Sequence, residues 1–193
     1  MIKSILRVAM LSTAIVASGA GAFALTAQTA AAEQTVTVGG APMYPSKNIV
    51  ENAVNSKDHT TLVAAVKAAD LVPTLSSDGP FTVFAPVNDA FAALPKGTVE
   101  TLLKPENKGT LTKVLTYHVV PGKLSGAALM KKVKAMGGKH NMKTASGDTL
   151  TAMVKGGHLF ILDEKGGAAK VTIADVNQSN GVIHVVNKVL LPK

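Results

Sequence analysis

The chain contains no cysteine and no tryptophan among its 193 residues. The absence of cysteine excludes a disulfide framework, a thiolate metal site and a cysteine nucleophile. Arg7 is the single arginine, so almost all of the basic charge comes from lysine. Lysine lacks the planar fork that grips phosphates and base edges, and an aromatic content of 4% offers no evident stacking surface for single strands. The composition therefore argues against specific nucleic-acid recognition.

Catalytic motifs are absent as well. The sequence has no G-x-S-x-G elbow, H-E-x-x-H helix, P-loop or Rossmann glycine pattern. Asp89 and Asp175 are the carboxylates that could be imagined as a pair, but they fall at a predicted helix start and strand end, where caps and turns use them. We predict that the protein is not an enzyme and binds no cofactor.

Residues 1–32 have the organisation of a secretory signal peptide. Lys3 and Arg7 precede a short apolar run at residues 8–16, and small residues continue to Ala32. Ser, Thr and Gly between residues 12 and 21 make this run too weakly apolar to span ~30 Å of hydrocarbon. We predict cleavage between Ala32 and Glu33, a secreted or periplasmic protein, and no transmembrane segment after cleavage.

The mature chain has the length of one domain, because 193 − 32 leaves 161 residues. Residues 33–45 carry a Gly pair and two prolines, and are predicted to be an extended lead-in. Helical patterns dominate residues 48–135, whereas short β-rich segments separated by glycine turns follow from residue 139. Because the helical patterns precede the strand patterns along the chain instead of alternating with them, the sequence predicts an α+β fold. The apolar run 182–191 is predicted to be a central strand near residues 81–84.

Three segments carry a family resemblance: FTVFAPVNDAFAALP at 81–95, YHVVPGKL at 117–124 and NGVIHVVNKVLLP at 180–192. In this order and spacing they resemble the landmark motifs of the fasciclin domain, and the resemblance covers residues 46–193. It implies a β-wedge or sandwich of about seven strands flanked by helices. The helices would lie mainly in the N-terminal half and the hairpins in the C-terminal half.

The resemblance also implies a function outside the cytoplasm. Such a protein would be exported and non-enzymatic, and would mediate cell adhesion or other extracellular or envelope interactions. Its partner would be an extracellular or envelope protein or an acidic glycan. The alternative is a periplasmic or secreted carrier of an apolar small molecule, because a wedge of helices over a sheet can open a groove.

The motif residues are predicted to be structural. We expect the phenylalanines to be buried against the final strand, and His118 and His184 to be core histidines bonded to backbone carbonyls. The full set of predicted structural residues is Phe81, Phe84, Pro86, Asn88, Asp89, Phe91, Tyr117, His118, Pro121, Gly122, Asn180, Gly181 and His184.

Two positions depart from the family pattern. Val87 stands where the family often has Thr or Ser, which leaves Asn88 as the better cap of the following helix. Asn187 stands where an acidic residue is common, so any charge pairing there is lost.

A group of lysines suggests a binding surface. Positive charge concentrates on one predicted helix and the strand after it, at Lys131, Lys132, Lys134, Lys139 and Lys143. Such a run is usually a solvated face. The alternative hypothesis is a salt-sensitive surface for acidic polysaccharide or an anionic envelope.

Methionine and histidine also cluster in this part of the chain. The candidates for a copper site are Met130, Met136, His140 and Met142, and Met153 and His158 extend the cluster. Thioethers and imidazoles suit Cu(I), although methionines more often fill irregular core space. Met130 and Met136 are not three or four positions apart, so one helix face cannot present both.

Overall fold

The structure is a computed structural model that describes residues 34–193. The predicted signal peptide and its cleavage site lie outside the described residues. Within residues 34–193, no helix has both the length and the apolar character needed to cross a bilayer.

The helices and strands follow one another in a fixed order, with short 3-10 turns at Lys57–His59 and Pro105–Asn107. They are β1 (Val36–Val38), β2 (Ala41–Met43), α1 (Ile49–Ala53), α2 (Thr60–Ala68), α3 (Val72–Leu75), β3 (Phe81–Pro86), α4 (Asn88–Ala92), α5 (Thr98–Leu102), α6 (Lys108–Tyr117), β4 (Val119–Pro121), α7 (Gly126–Ala135), β5 (Lys139–Lys143), β6 (Thr149–Lys155), β7 (His158–Leu162), β8 (Ala168–Gln178) and β9 (Gly181–Val186).

Seven strands form one mixed sheet in the order β4-β3-β9-β8-β7-β6-β5. β3 and β9 pair in parallel, with Phe81 opposite Gly181 and Phe84 opposite His184, and the other pairs are antiparallel. All six residues of β9 are buried, as a strand covered on both faces requires. The predicted α+β fold of seven strands with mainly N-terminal helices is confirmed, and so is the position of the last strand beside residues 81–84.

The last strand is shorter than predicted. β9 ends at Val186, whereas the sequence predicted a strand to residue 191. The amide of Leu190 donates to the ring of His118, and the amide of Leu191 donates to the carboxylate of Asp163. Because these side chains accept the hydrogen bonds of the Leu190 and Leu191 amides, residues 190 and 191 do not extend the strand pairing of β9.

The sheet separates two apolar cores. Val83 and Ile183 face the N-terminal helices, whereas Phe84 and Leu150 face an interior that α7 also covers, as the alternation of side chains along strands requires. β8 contains irregularities between Val171 and Val176, and bulges of this kind bend a strand. The sheet curls until it is nearly barrel-shaped.

The segment predicted as a lead-in is part of the fold. β1 and β2 form a hairpin, and Val38 and Met43 are buried in the core under the N-terminal helices. Gly39 and Gly40 have φ of 58° and 76°, which are the positive values that a two-residue hairpin turn needs. Residues 34–45 are therefore more than an extended lead-in, because the Gly pair is a turn between two short strands that pack on the core.

Candidate functional site

Thr82 and His184 bind the loop after β4 to the central strands. Thr82 Oγ1 donates to the Gly122 carbonyl at 2.6 Å and accepts from the Leu124 amide at 2.9 Å. His184 Nδ1 accepts from the Asp175 amide at 3.2 Å, and its Nε2 lies 2.8 Å from the Leu124 carbonyl. An amide can only donate, so His184 is neutral with its proton on Nε2. Burial lowers the pKa of His184, which favours this neutral form.

Asp175 fixes the start of α7. It lies at an irregularity within β8 with φ of 59°, a conformation that aspartate tolerates better than most residues. Its Oδ1 accepts from the Gly126 amide at 2.8 Å, and Ser125 Oγ accepts from the Ala128 amide at 3.2 Å. Two side chains therefore satisfy amides of the first turn of α7.

His118 joins α6 to the segment after β9. Its Nδ1 lies 2.8 Å from the Val114 carbonyl, and its Nε2 accepts from the Leu190 amide at 2.9 Å. The amide again fixes the tautomer, with the proton on Nδ1. Burial lowers the pKa of His118 to about 4, so the ring is neutral at physiological pH and both nitrogens are occupied.

Tyr117 joins the same helix to the hairpin strands. Its hydroxyl donates to the Thr149 carbonyl at 2.9 Å and accepts from the Glu164 amide at 3.0 Å. Burial raises the pKa of Tyr117 to about 12. The phenol is therefore protonated throughout the physiological range and acts as a structural bridge.

Asn180 holds the N-terminal helices against β9. Its Nδ2 donates to the carbonyls of Leu75 and Ser77 at 2.8 Å each, and its Oδ1 accepts from the Ile49 amide at 3.0 Å. The next residue, Gly181, has no room for a side chain, because a Cβ there would overlap the Phe81 carbonyl. The Asn-Gly pair at 180–181 is thus the point at which α1, α3 and β3 contact the start of β9.

Asn88 caps a different helix from the one predicted. The N-cap of α4 is Val87, which has no side-chain cap bond. Asn88 Oδ1 accepts instead from the Thr61 amide of α2 at 3.0 Å, and its Nδ2 donates to the Lys57 carbonyl at 2.8 Å. Predicting Asn88 as the cap of its own helix was wrong, because it occupies the first helical position and its side chain reaches the start of α2.

The remaining motif residues differ in burial. Phe84 is 0% exposed and stacks on the His184 ring at 5.7 Å between centroids. Phe91 is also buried, whereas Phe81 is half-buried. Asn187, the second departure from the family pattern, accepts from the Lys170 amide at 2.8 Å and donates its own amide to the Lys170 carbonyl at 3.2 Å.

Small apolar cavities lie under the N-terminal helices. One of about 40 Å³ is lined by residues of α1, α2, α3 and β3. The second, of about 30 Å³, adjoins His59, whose Nδ1 lies 2.8 Å from Ser56 Oγ. In residues 34–193, His59 Nε2 is the one buried side-chain nitrogen or oxygen without a hydrogen-bond partner. Each cavity has room for about one water-sized group.

The structure brings two of the predicted copper ligands into contact, and a third lies nearby on the same strand. Met136 Sδ lies 3.0 Å from His140 Nδ1, and Met142 follows two residues later on the same face of β5. Met153 pairs with Lys139 and so lies on the other face, and His158 pairs with Lys155 at the start of β7. No group of three His, Cys, Asp or Glu side chains suited to a metal occurs in the part of the chain that the structure describes.

The five predicted lysines do not share one face. Lys131, Lys132 and Lys134 are exposed on α7, and α7 packs on the buried Met142 side of β5. Lys139 and Lys143 alternate with Met142 along the strand, so they point to the opposite, outer side of the sheet. The five lysines are therefore divided between α7 and β5, because a strand turns successive residues to opposite faces.

The outer side of β5–β8 carries a cross-strand row that the sequence did not reveal. Lys139, Met153, Phe160 and Lys170 lie directly opposite one another on four neighbouring strands, and we call these four residues the outer-face row. The register between strands decides this arrangement, and no single segment of the sequence contains it. The alternation in HLFIL at 158–162 was the available signal for the outward position of Phe160.

The model of the fasciclin domain matches residues 57–192. The chain belongs to the fasciclin domain family. Its relatives include Protein sll1483 of Synechocystis sp., 51% identical over 160 residues that cover 83% of this chain and 82% of the relative. Immunogenic protein MPT70 of Mycobacterium tuberculosis is 34% identical over 145 residues, with 72% and 66% covered. Human periostin is 30% identical over 146 residues, with 76% and 16% covered.

A solved structure shows the same fold. It is the FAS1 domain pair from the insect cell adhesion molecule Fasciclin I, with a TM-score of 0.69 and 17% identity. The match covers 77% of this chain and 52% of that chain, so the present chain spans about half of the pair. These matches indicate no enzyme family.

Polar side chains in the family motifs of this fasciclin domain form hydrogen bonds within the domain. The side chains of Thr82, His118, Asn180 and His184 each bond to at least two backbone groups, and each reaches at least one segment other than its own. Such residues identify the fold. Surfaces available to a partner have to be sought outside the motifs.

Proposed function

We propose that this fasciclin domain is an exported, noncatalytic binding module that mediates adhesion or envelope interactions by holding acidic polysaccharide on the outer-face row. Family membership and the predicted signal peptide support the location. The internal bonding of the motif histidines and Tyr117 supports a noncatalytic role, because none of these groups is free to transfer a proton near pH 7.

The observation that carries the proposal is the composition of the outer-face row. Half-buried Met153 and Phe160 stand between Lys139 and Lys170. Neighbouring strands are about 4.8 Å apart, so the backbone positions of the two lysines are separated by about 14 Å. An aromatic ring on the outer side of the sheet offers an apolar face for the C–H side of a sugar ring. The lysines at both ends would pair with carboxylate or sulfate groups.

The overall charge favours the same partner. Without residues 1–32 the chain has 20 − 2 = 18 lysines and 12 acidic residues, a net charge of +6. A basic protein attracts polyanions over a distance of about one Debye length, ~10 Å at 0.1 M salt. Binding should therefore weaken as the salt concentration rises.

Retention of the mature protein on heparin and alginate columns tests the proposal. The double variant Lys139→Gln/Lys170→Gln and the single variant Phe160→Ala should elute at lower salt than the wild type. The matched control is Lys131→Gln/Lys134→Gln, which removes the same charge from α7. Equal elution of the two double variants, or retention that is insensitive to salt, would contradict the proposal.

Adhesion itself requires a test in the native host. Deletion of the gene should reduce attachment to surfaces or aggregation of the cells. Restoring the wild type, but not the Lys139→Gln/Lys170→Gln variant, should recover the behaviour. Unchanged attachment and aggregation in the deletion strain would refute the adhesion role.

A carrier of an apolar small molecule is the second candidate, and the apolar cavity under α1–α3 favours it. At about 40 Å³ the cavity is far smaller than the ~300 Å³ of an ordinary ligand pocket, so a ligand would have to displace these helices. Protein purified from the native host should then carry an extractable pigment or lipid. Colourless protein without such a ligand by mass spectrometry would exclude the carrier.

A further inference from the structure

We propose that Met136, His140 and Met142 form a Cu(I)-binding site where α7 turns into β5. The site is independent of the outer-face row, because it lies on the other side of β5. Its three donors are two thioether sulfurs and one imidazole nitrogen, the ligand types that suit Cu(I).

The turn between α7 and β5 sets the geometry. Gly137 and Gly138 have φ of 73° and 102°, and the Gly138 amide donates to the Val133 carbonyl at 2.8 Å, which is how a glycine commonly ends a helix. The chain reverses within these two residues, so the first residues of β5 return beside the end of α7. His140 Nδ1 thereby comes to 3.0 Å from Met136 Sδ.

Met136 is unusual in its exposure. Its exposed fraction is 62%, and among residues 34–193 the only other large apolar side chain classed as exposed is Val54. Filling space in a core therefore does not explain this methionine. A sulfur held in water beside an imidazole nitrogen is instead available to a metal ion.

The 3.0 Å separation is compatible with shared coordination. Bonds of about 2.0 Å to nitrogen and 2.3 Å to sulfur, as zinc makes, place the two donors about 90° apart around an ion. The exposed Met136 side chain has three rotatable bonds and is free to widen this angle.

Met142 supplies the third donor. It lies two residues after His140 on the same face of β5, and both side chains border the groove between α7 and β4. Met142 is 4% exposed, so it would shield a bound ion from water on the side of the protein. Met130 lies six residues before Met136, about 1.7 helical turns, and is not part of the proposed set.

The charge around the site favours a monovalent ion. Lys132 borders the same groove as His140 and Met142. Repulsion between Lys132 and a bound ion grows with the charge of that ion. A divalent ion such as Zn²⁺ would be repelled twice as strongly as Cu(I).

The test is an anaerobic titration of the full mature protein with Cu(I), with bicinchoninate as the competing chelator. One ion should bind per chain, and His140→Asn and Met136→Leu should each weaken binding by at least about tenfold, the loss seen for disrupted metal sites. Met153→Leu, on the other side of β5, is the matched control and should bind as the wild type does. No binding tighter than about micromolar, or a Met136→Leu variant that binds like the control, would overturn the proposal.

A second measurement reports on the site without mutation. Addition of Ag(I), a redox-silent probe of thioether and imidazole ligands, should shift the side-chain ¹⁵N resonances of His140. The resonances of His158, which lies at the start of β7, should stay in place. An unshifted His140 would overturn the site even in a protein that folds normally.

Discussion

Protonation of His118 should destabilise this protein in mildly acidic solution. The ring is buried with both nitrogens in use, and its Nε2 accepts from the Leu190 amide at 2.9 Å. A proton on Nε2 would place two N–H donors against each other and a positive charge in the interior. The loss is therefore both a broken hydrogen bond and an uncompensated buried charge.

The pKa gives the size and the direction of the effect. Burial lowers the pKa of His118 from 6.5 to about 4 in the folded state. Above pH 6.5 the ring is neutral in both states, so its contribution to stability is complete. As the pH falls from 6.5 to 4, His118 becomes protonated in the unfolded chain but stays neutral in the folded chain. The free energy of unfolding therefore falls by ~3 kcal/mol. Domains of this kind have only about 5–15 kcal/mol in total.

Urea unfolding between pH 7.5 and 5 measures the first part of this loss, about 2 kcal/mol. The wild-type free energy of unfolding should fall with a slope of up to ~1.4 kcal/mol per pH unit for each proton taken up. His118→Gln keeps an oxygen that can accept from Leu190 but does not titrate, so its slope should be shallower even though the variant is less stable at pH 7.5. Burial lowers the pKa of His59 and His184 too, so part of the slope should remain. An identical slope in both proteins would refute the reasoning.

Three further predictions concern stability, measured by urea unfolding at pH 7.5. Phe84→Ala should cost ~3–5 kcal/mol, because Phe84 is fully buried and stacked on His184; a loss no greater than that of the half-exposed Phe160→Ala would show that Phe84 is not central to the core. Tyr117→Phe should cost about 1–3 kcal/mol, because the Thr149 carbonyl and the Glu164 amide lose their partner, and an unchanged midpoint would mean that water replaces the hydroxyl. Asp89→Asn should change stability little, since Asp89 is exposed at a helix start, and a large loss would reveal an unrecognised contact.

The sequence was sufficient to predict the elements whose signals are local. Alternating apolar residues bounded by glycine turns placed the hairpin strands β5, β6 and β7 close to their observed positions. The apolar run from residue 182 predicted a strand buried on both faces, and β9 is that strand. The same run was predicted to lie near residues 81–84, and β9 pairs with β3 there; the parallel direction of the pair was not predicted.

Features that depend on register or on distant partners were not predictable. Asn88 follows the usual pattern of a cap, yet its oxygen serves α2, which lies 27 residues earlier in the chain. The end of β9 depends on His118 and Asp163, which accept hydrogen bonds from the amides of Leu190 and Leu191. The outer-face row exists because four strands align in one register, and periodicity within one segment carries no information about its neighbours.

The parallel pairing of β3 and β9 has a consequence for how the chain folds during synthesis. β9 is the last strand of the sheet to be made, yet it lies between β3 and β8 near the middle of the sheet. Until residues 181–186 have emerged, Phe84 lacks the strand that it pairs with, and neither core can close. Contacts between residues so far apart in sequence also slow folding. A chain with this topology therefore completes its two cores only after its last strand has been made.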